Sequence, residues 1–252
     1  LILTINNLVS DYNLTAVSST ANANILDNDA ATLQLTGPPS ITEGASATTQ
    51  NVAFTVVLSK ATQRPFTINY TTVNGTASAT DQDFVLQNSQ LSFTGTTAGE
   101  TRTVNIVVNG DAKIEADELF NFTISGLSDD FGGLLTIPQN TASATILNDD
   151  AGDITITSAD GAEGGANGYF RFSFPANVTS DQATVINYVL SGTATNLDYL
   201  ANPSPVTITI PAGQNSAQLN INVVDDAIVE GQEILELSAV AVNSVYGINL
   251  TN

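Results

Sequence analysis

Four carboxylates recur at one fixed offset: Asp83, Asp111, Glu115 and Glu118 return as Asp198, Asp226, Glu230 and Glu233, each 115 residues further on. The residues between them drift while the acids hold their register. Acids that keep their spacing through a repeat point to a shared site rather than to a solvated surface. Their chemistry is narrow. Carboxylate oxygens in number suit hard cations, Ca²⁺ above all, which takes six to eight oxygens from side chains, backbone carbonyls and water. No single turn supplies so many, so separate turns must converge.

Composition narrows the alternatives. The chain has 252 residues, about right for two sandwich domains, and is 42% hydrophobic, enough to fill a core in each. It carries 25 acidic residues against 5 basic ones, for a net charge of −20. Phosphate-backbone binding needs a basic face, so nucleic acid is not an expected partner, and anionic membrane surfaces are disfavoured for the same reason. No apolar run of about 18 residues is present, so no direct membrane insertion is expected. Cysteine and histidine are absent, which removes thiol chemistry, disulfides and zinc–histidine sites. Paired carboxylates could serve a glycoside hydrolase, but they occur in any calcium cluster, and with no Ser–His–Asp or Cys–His arrangement and no sign of a deep cleft a non-catalytic protein is expected. The first residues, Leu1 to Ile5, read as a strand rather than a leader, so the segment reads as cut from a longer protein.

The elements that must position the acids are strands. Period-2 alternation runs through Thr32–Thr36, Phe66–Tyr70, Thr103–Val107, Tyr169–Phe174, Val206–Ile210 and Leu219–Val223, with one face apolar and the other Thr, Ser or Asn. Clusters of Gly, Asn, Asp and Ser separate them. About seven such strands per ~115 residues predict an all-β chain of tandem immunoglobulin-like Greek-key β-sandwiches, with antiparallel strands. The aromatic residues Phe54, Phe66, Tyr70, Phe120, Phe122, Phe170 and Phe172 read as core.

Repeats set the expected boundaries. Asn24–Ala30 mirrors Thr145–Ala151, Thr42-Glu43-Gly44 mirrors Ala162-Glu163-Gly164, and Asp111–Glu118 mirrors Asp226–Glu233. Residues 1–30 are then expected to be the last two strands of an upstream repeat. Residues 31–151 would be a complete repeat, and residues 152–252 a repeat lacking its final strand. The junctions are short. Singly, each acid also has an ordinary use. Asp111, Asp225 and Asp226 suit turns, Glu115, Glu118, Glu230 and Glu233 suit a guarded strand edge, and Asp83 and Asp198 suit loop caps. Jointly, 15 of the 25 acids fall at repeat positions, which favours a site.

These residues resemble the Calx-β motif. The likeness rests on Gly-Thr-Ala followed by Asp-Phe or Asp-Tyr, then Asp-x-x-x-Glu-x-x-Glu running into a strand, then an Ile-Leu-Asn-Asp-Asp ending. It covers one full copy, one nearly full copy and a tail. The resemblance implies a seven-stranded sandwich binding Ca²⁺ at loops gathered at one end, as in the regulatory loop of sodium–calcium exchangers, in integrin β4 and in tandem arrays on bacterial surface proteins. Carried over, the calcium ligands of the complete repeat would be Glu43, Asp83, Asp111, Glu115, Glu118, Asp149 and Asp150, with Asn148 adding a neutral oxygen. The matching set in the next repeat is Glu163, Asp198, Asp225, Asp226, Glu230 and Glu233. In residues 1–30 only Asp27 and Asp29 survive. The family often pairs two aspartates where this chain has Gly110-Asp111. The expectation is therefore a non-catalytic, calcium-binding, adhesive repeat array of an extracellular cell-surface protein. Its partners would be adjacent repeats of the same chain and other surface or substratum ligands. The alternative is a calcium-sensing regulatory domain of a larger protein.

Overall fold

Alternation in sequence becomes alternation in burial. In the strand Thr49–Leu58, Val52, Phe54, Val56 and Leu58 are buried while Gln50, Asn51 and Ala53 face outward. The computed structural model describes residues 2–4, 20–200, 206–243 and 246–250, and every regular element among them is a strand. Leu1 and residues 5–19 of the expected upstream repeat lie outside the described residues. β1 (Ile2–Thr4) and β2 (Thr20–Asn22) pair antiparallel.

The first sandwich runs through β3 (Ala31–Thr36), β4 (Ser40–Thr42), β5 (Thr49–Leu58), β6 (Phe66–Asn74), β7 (Asn88–Phe93) and β8 (Thr101–Asn109). The two-residue β9 (Lys113–Ile114) follows, then β10 (Glu118–Ser125), β11 (Leu135–Gln139) and β12 (Thr141–Leu147). One sheet has the order β4-β12-β10-β6-β7 and the other β11-β3-β5-β8. The chain makes seven passes, but nine strands result, because the first and last passes each change sheet midway. Gly37-Pro38-Pro39 interrupts the first pass, since proline lacks the donor a ladder needs. The sheets close on stacked aromatic rings. Phe54 lies on Phe122 with centroids 4.7 Å apart, and Phe84 lies on Phe120 at 4.5 Å.

The second sandwich contains β13 (Gly152–Ala159), β14 (Gly168–Ser173), β15 (Thr179–Ser180), β16 (Thr184–Gly192) and β17 (Tyr199–Leu200). β18 (Thr207–Ile210), β19 (Ser216–Val223), β20 (Leu235–Asn243) and β21 (Ile248–Leu250) complete it. Its sheets are β17-β19-β14-β13-β21 and β18-β16-β20. Among the described residues nothing takes the place beside β20 that β12 takes beside β10. The core is correspondingly smaller: Ile154, Phe172, Phe174, Ile186, Tyr188 and Ile210.

A seventh buried member of that second core comes from the first sandwich. Ile114, in β9, is fully buried among these residues, and β9 pairs parallel with β15 through Lys113↔Thr179 and Ile114↔Ser180. The backbone N–H of Asp181 donates to the Ile114 carbonyl at 3.2 Å. The two sandwiches are thus joined by an apolar plug as well as by the chain.

Candidate metal centre

The tip of the first sandwich is built by three hairpin ends and one strand exit. The Glu43 N–H donates to the Leu147 carbonyl at 3.2 Å, which sets the loop after β4 beside the end of β12. The N–H of Ala47 donates to the Gly110 carbonyl, and the N–H of Gly110 to the Thr48 carbonyl, so the turn after β8 lies against the same loop. The Asn109 N–H donates to the Asp83 carbonyl at 3.0 Å, adding the loop between β6 and β7.

Two groups of carboxylates result. Glu43, Asp111 and Asp150 bring oxygens within 4.8 Å of one another, and so do Asp83, Glu115 and Glu118. Asp149 borders the first group, where its Oδ1 accepts from the Gly44 N–H at 3.2 Å. Asn148 joins it through its side-chain amide, which donates to the Asp150 carbonyl at 3.0 Å. All eight candidates of this repeat therefore lie at one tip, from four separate segments.

Burial and like charge act together there. Glu43 is 2% exposed and Glu115 5%. Burial, then the charges of Asp111, Glu115, Asp150 and Asp149, push the Glu43 carboxyl from 4.5 up to about 8. Burial, then a hydrogen bond and charge from Asp83, raise Glu118 to about 7. Asp150 is raised by burial, then by Asp111 and Asp149. Each unscreened pair of carboxylates at ~4–5 Å costs roughly 3–4 kcal/mol at an effective dielectric of ~20, and a cation between them reverses that sign.

The oxygens fit such a cation. Glu43 Oε1, Asn148 Oδ1 and Asp150 Oδ2 are buried with no backbone or cationic partner, and Glu43 and Asp150 have only each other to share a proton with. Buried polar atoms are nearly always partnered, so these acceptors at one tip leave room for a cation as their partner. The set is all oxygen, as Ca²⁺ requires. The groups differ in one respect. Lys113 Nζ lies 2.7 Å from Glu115 Oε2 and 2.7 Å from Asp81 Oδ2, so a protein cation already serves the second group. Burial alone would lower the Lys113 pKa, but the hydrogen bonds to Asp81 and Glu115 raise it well above the usual lysine range.

Glu43 sets up a simple substitution. Glu43→Gln keeps the shape and removes the crowded charge, so the ion-free protein should gain on the order of 2 kcal/mol at neutral pH. The stabilisation that added calcium provides should shrink at the same time. Thermal unfolding with chelator and with calcium reads both effects.

Gly110, where the family often has a second aspartate, is fixed by a close approach. A Cβ there would meet the carbonyl oxygens of Gly44 and Ala45 well inside contact distance. Gly110→Asp should therefore destabilise by roughly 2 kcal/mol rather than complete the site, as backbone cannot yield cheaply. Chemical denaturation with and without calcium would show it.

In the second sandwich the acids gather less tightly. Glu163, Asp198, Glu230 and Glu233 line an open cleft of about 640 Å³ with Tyr169 and Tyr199. Burial, then the charges of Asp198, Asp226 and Glu163, raise Glu230. Glu233 is raised first by its hydrogen bond to Asp198. Asp198 is held low by the backbone and hydroxyl of Thr195, its Oδ2 accepting from the Thr195 N–H at 2.5 Å. Asp225 lies beside Gly164, whose Cβ would sit 3.7 Å from its carboxylate. Asp83 caps its own loop in the same manner, accepting from the Ser78 N–H at 2.7 Å. The capping use and the clustered use thus coexist in one residue.

Asp27 and Asp29 join neither group. The Asp29 N–H donates to Asp27 Oδ1, and Asp29 pairs with Lys60 at 3.1 Å, at the end of the first sandwich opposite the tip. Sequence reasoning passed over Lys113 and Ile114. A signal for the second was present: an apolar residue inside an acidic loop, kept as Val229 exactly one 115-residue repeat on.

The search of curated proteins found no match. Solved structures that the chain resembles include CBD12 from CALX1.2, at 19% identity over 82% of this chain and 80% of that one, TM-score 0.38. The calcium binding domain CBD12 of CALX1.1 aligns at 20% identity over 74% of each chain, TM-score 0.38. The apo-form Calx CBD1 domain aligns at 23% identity over 48% of this chain and all of that one, TM-score 0.37. The sequence profile of the Calx-beta domain matches residues 27–150 and 176–243. The matched segments hold most of the chain, including every candidate ligand of the first sandwich: the chain belongs to the Calx-beta domain family.

Proposed function

We infer that this chain is a non-catalytic, calcium-binding structural segment of an extracellular, cell-surface adhesive array, in which Ca²⁺ at the sandwich tip stiffens the junction with the next sandwich. The observation that carries this reading is the loop Asp111–Glu115. It supplies Asp111 to one acidic group and Glu115 to the other, and between them it sends Ile114 into the core of the following sandwich. An ion that fixes the two acids also fixes the plug. The Lys113 N–H donating to Asp111 Oδ1 at 2.7 Å shortens the linkage further. The buried acceptors of Glu43, Asn148 and Asp150 support calcium as the ion. The high acid content and the absence of cysteine are consistent with a surface protein, whose further partners would be neighbouring repeats and substratum ligands.

Affinity and shape test the reading. Extracellular calcium modules bind at ~10⁻⁴–10⁻³ M, whereas sensors bind at 10⁻⁷–10⁻⁵ M. Calorimetric titration should fall in the weaker range; the tighter range would favour regulation of a larger protein instead. At about ten times the dissociation constant each site adds ~1.4 kcal/mol, which accumulates along an array. In small-angle scattering the two-sandwich chain should extend and stiffen with calcium. A maximum dimension indifferent to chelator would remove the junction role.

A further inference from the structure

The two acidic groups at the tip of the first sandwich match in carboxylates but not in what their oxygens lack. Glu43, Asn148 and Asp150 each hold a buried oxygen with no backbone or cationic partner. No oxygen of Asp83, Glu115 or Glu118 is both buried and unpartnered. Asp83 Oδ2 accepts from the Ser78 N–H at 2.7 Å, and Glu118 hydrogen-bonds Asp83. Glu115, 5% exposed, gives its Oε2 to Lys113 Nζ at 2.7 Å. The second group is complete as it stands.

Lys113 is held there at both ends. Its backbone N–H donates to Asp111 Oδ1 at 2.7 Å, and β9 pairs it with Thr179 of β15. Its ammonium also reaches Asp81 Oδ2 at 2.7 Å, and its side chain is only 24% exposed. Hydrogen bonds between an ammonium and carboxylates are of the strong, charge-assisted kind. A divalent ion entering beside it must break the bond to Glu115 and meets the repulsion of a like charge.

The repeat adds an independent observation. Ile228 stands 115 residues after Lys113, and Asn196 stands 115 residues after its partner Asp81. The acids around them all return, as Asp198, Glu230 and Glu233. Both halves of the ion pair are therefore exchanged together while the carboxylates stay. The pair is a unit that one copy of the site has and the other lacks.

We propose that Lys113 stands in for a metal ion in the Asp83–Glu115–Glu118 group, so that the first sandwich takes calcium at the Glu43–Asp111–Asp150 group alone. The proposal rests on the calcium reading of the first group and sets its stoichiometry. Glu115 stands between the groups, for its charge also bears on Glu43. The plug loop is then anchored on one side by calcium and on the other by a cation of the chain itself.

Counting and labelling test it. Equilibrium dialysis against calcium should find one more bound ion per chain for Lys113→Met than for the unsubstituted chain. Lys113→Arg keeps the charge and should keep the original count. Adding Glu118→Gln to Lys113→Met should remove the extra ion. Equal counts for Lys113→Met and the unsubstituted chain overturn the proposal. If Lys113→Met does not fold, the unsubstituted chain decides. It has two lysines, and Lys60, with a side chain 56% exposed, is the reference. Acylation read by mass spectrometry should find Lys113 slower than Lys60 in chelator and equally slow in millimolar calcium. Lys113 labelling that rises with calcium means that the ion evicts the lysine, and overturns the proposal. The calcium reading is judged on the count of the unsubstituted chain and the lysine on the difference between the two counts, so either can fail while the other stands.

Discussion

Stripped of divalent ions, the protein should lose stability as pH rises from about 5 to about 8, the reverse of ordinary acid denaturation. Glu43 rests at about 8 and Glu118 at about 7 in the fold, against the ordinary 4.5. A carboxyl whose pKa is raised by folding binds its proton more tightly in the native state. Its contribution is fully present below pH 4.5 and is lost as pH climbs through the folded value. Glu43 is 2% exposed, so solvent screens it little. Its ionisation alone costs on the order of 4 kcal/mol by pH 8, a large part of a domain's 5–15 kcal/mol. Calcium should invert the trend, because the ion takes the deprotonated carboxylates and binds better as pH rises through the same window. Melting temperatures at pH 5, 6, 7 and 8, with chelator and with millimolar calcium, measure both slopes. A chelated protein whose melting point stays level or climbs across that range would show that the buried acids do not oppose one another.

This behaviour follows from features that differ in how far the sequence discloses them. The sandwich was legible because its physics is local: Thr49–Leu58 alternates, and a half-buried strand must. The acids were legible through register, since 115 residues separate Asp83 from Asp198 as they do Glu118 from Glu233. Their partition into two groups was not legible. It depends on which loop crosses which, and the Gly110 contact with the Gly44–Ala45 backbone decides that only in three dimensions. Strand count was also hidden. The sheet changes after Gly37 and after Gln139 turn seven passes into nine strands; each has a proline beside it, Pro38-Pro39 and Pro138, but a proline alone does not say that the chain resumes in the other sheet.

Lys113 shows the limit from another side. An isolated lysine in an acidic loop carries no pattern, and its counterpart in the next repeat is Ile228. Its meaning lies in the 2.7 Å approaches to Glu115 and Asp81. The acids of the second sandwich face no such cation among the described residues, and they line an open cleft.

Ile114→Asp should produce the largest mutational effect, and it should fall on the sandwich to which the residue does not belong. Ile114 is absent from the core of the first sandwich and is fully buried in that of the second, against Gly152, Phe174 and Val178. An aspartate there leaves an unpaired charge among apolar side chains, and the chain escapes it by undocking. Losing the buried isoleucine costs the second sandwich roughly 2–5 kcal/mol. The first sandwich keeps its core and its acids, so calcium should still bind near Glu43. Calorimetric unfolding should then resolve two transitions, with the lower one moved down, and scattering should report a wider range of shapes even in calcium. Ile114→Ala makes the same test more gently, leaving the β9–β15 pairing in place. If neither substitution lowers the second transition, the loop merely rests against its neighbour, and a bound ion could stiffen the tip without anything beyond it responding.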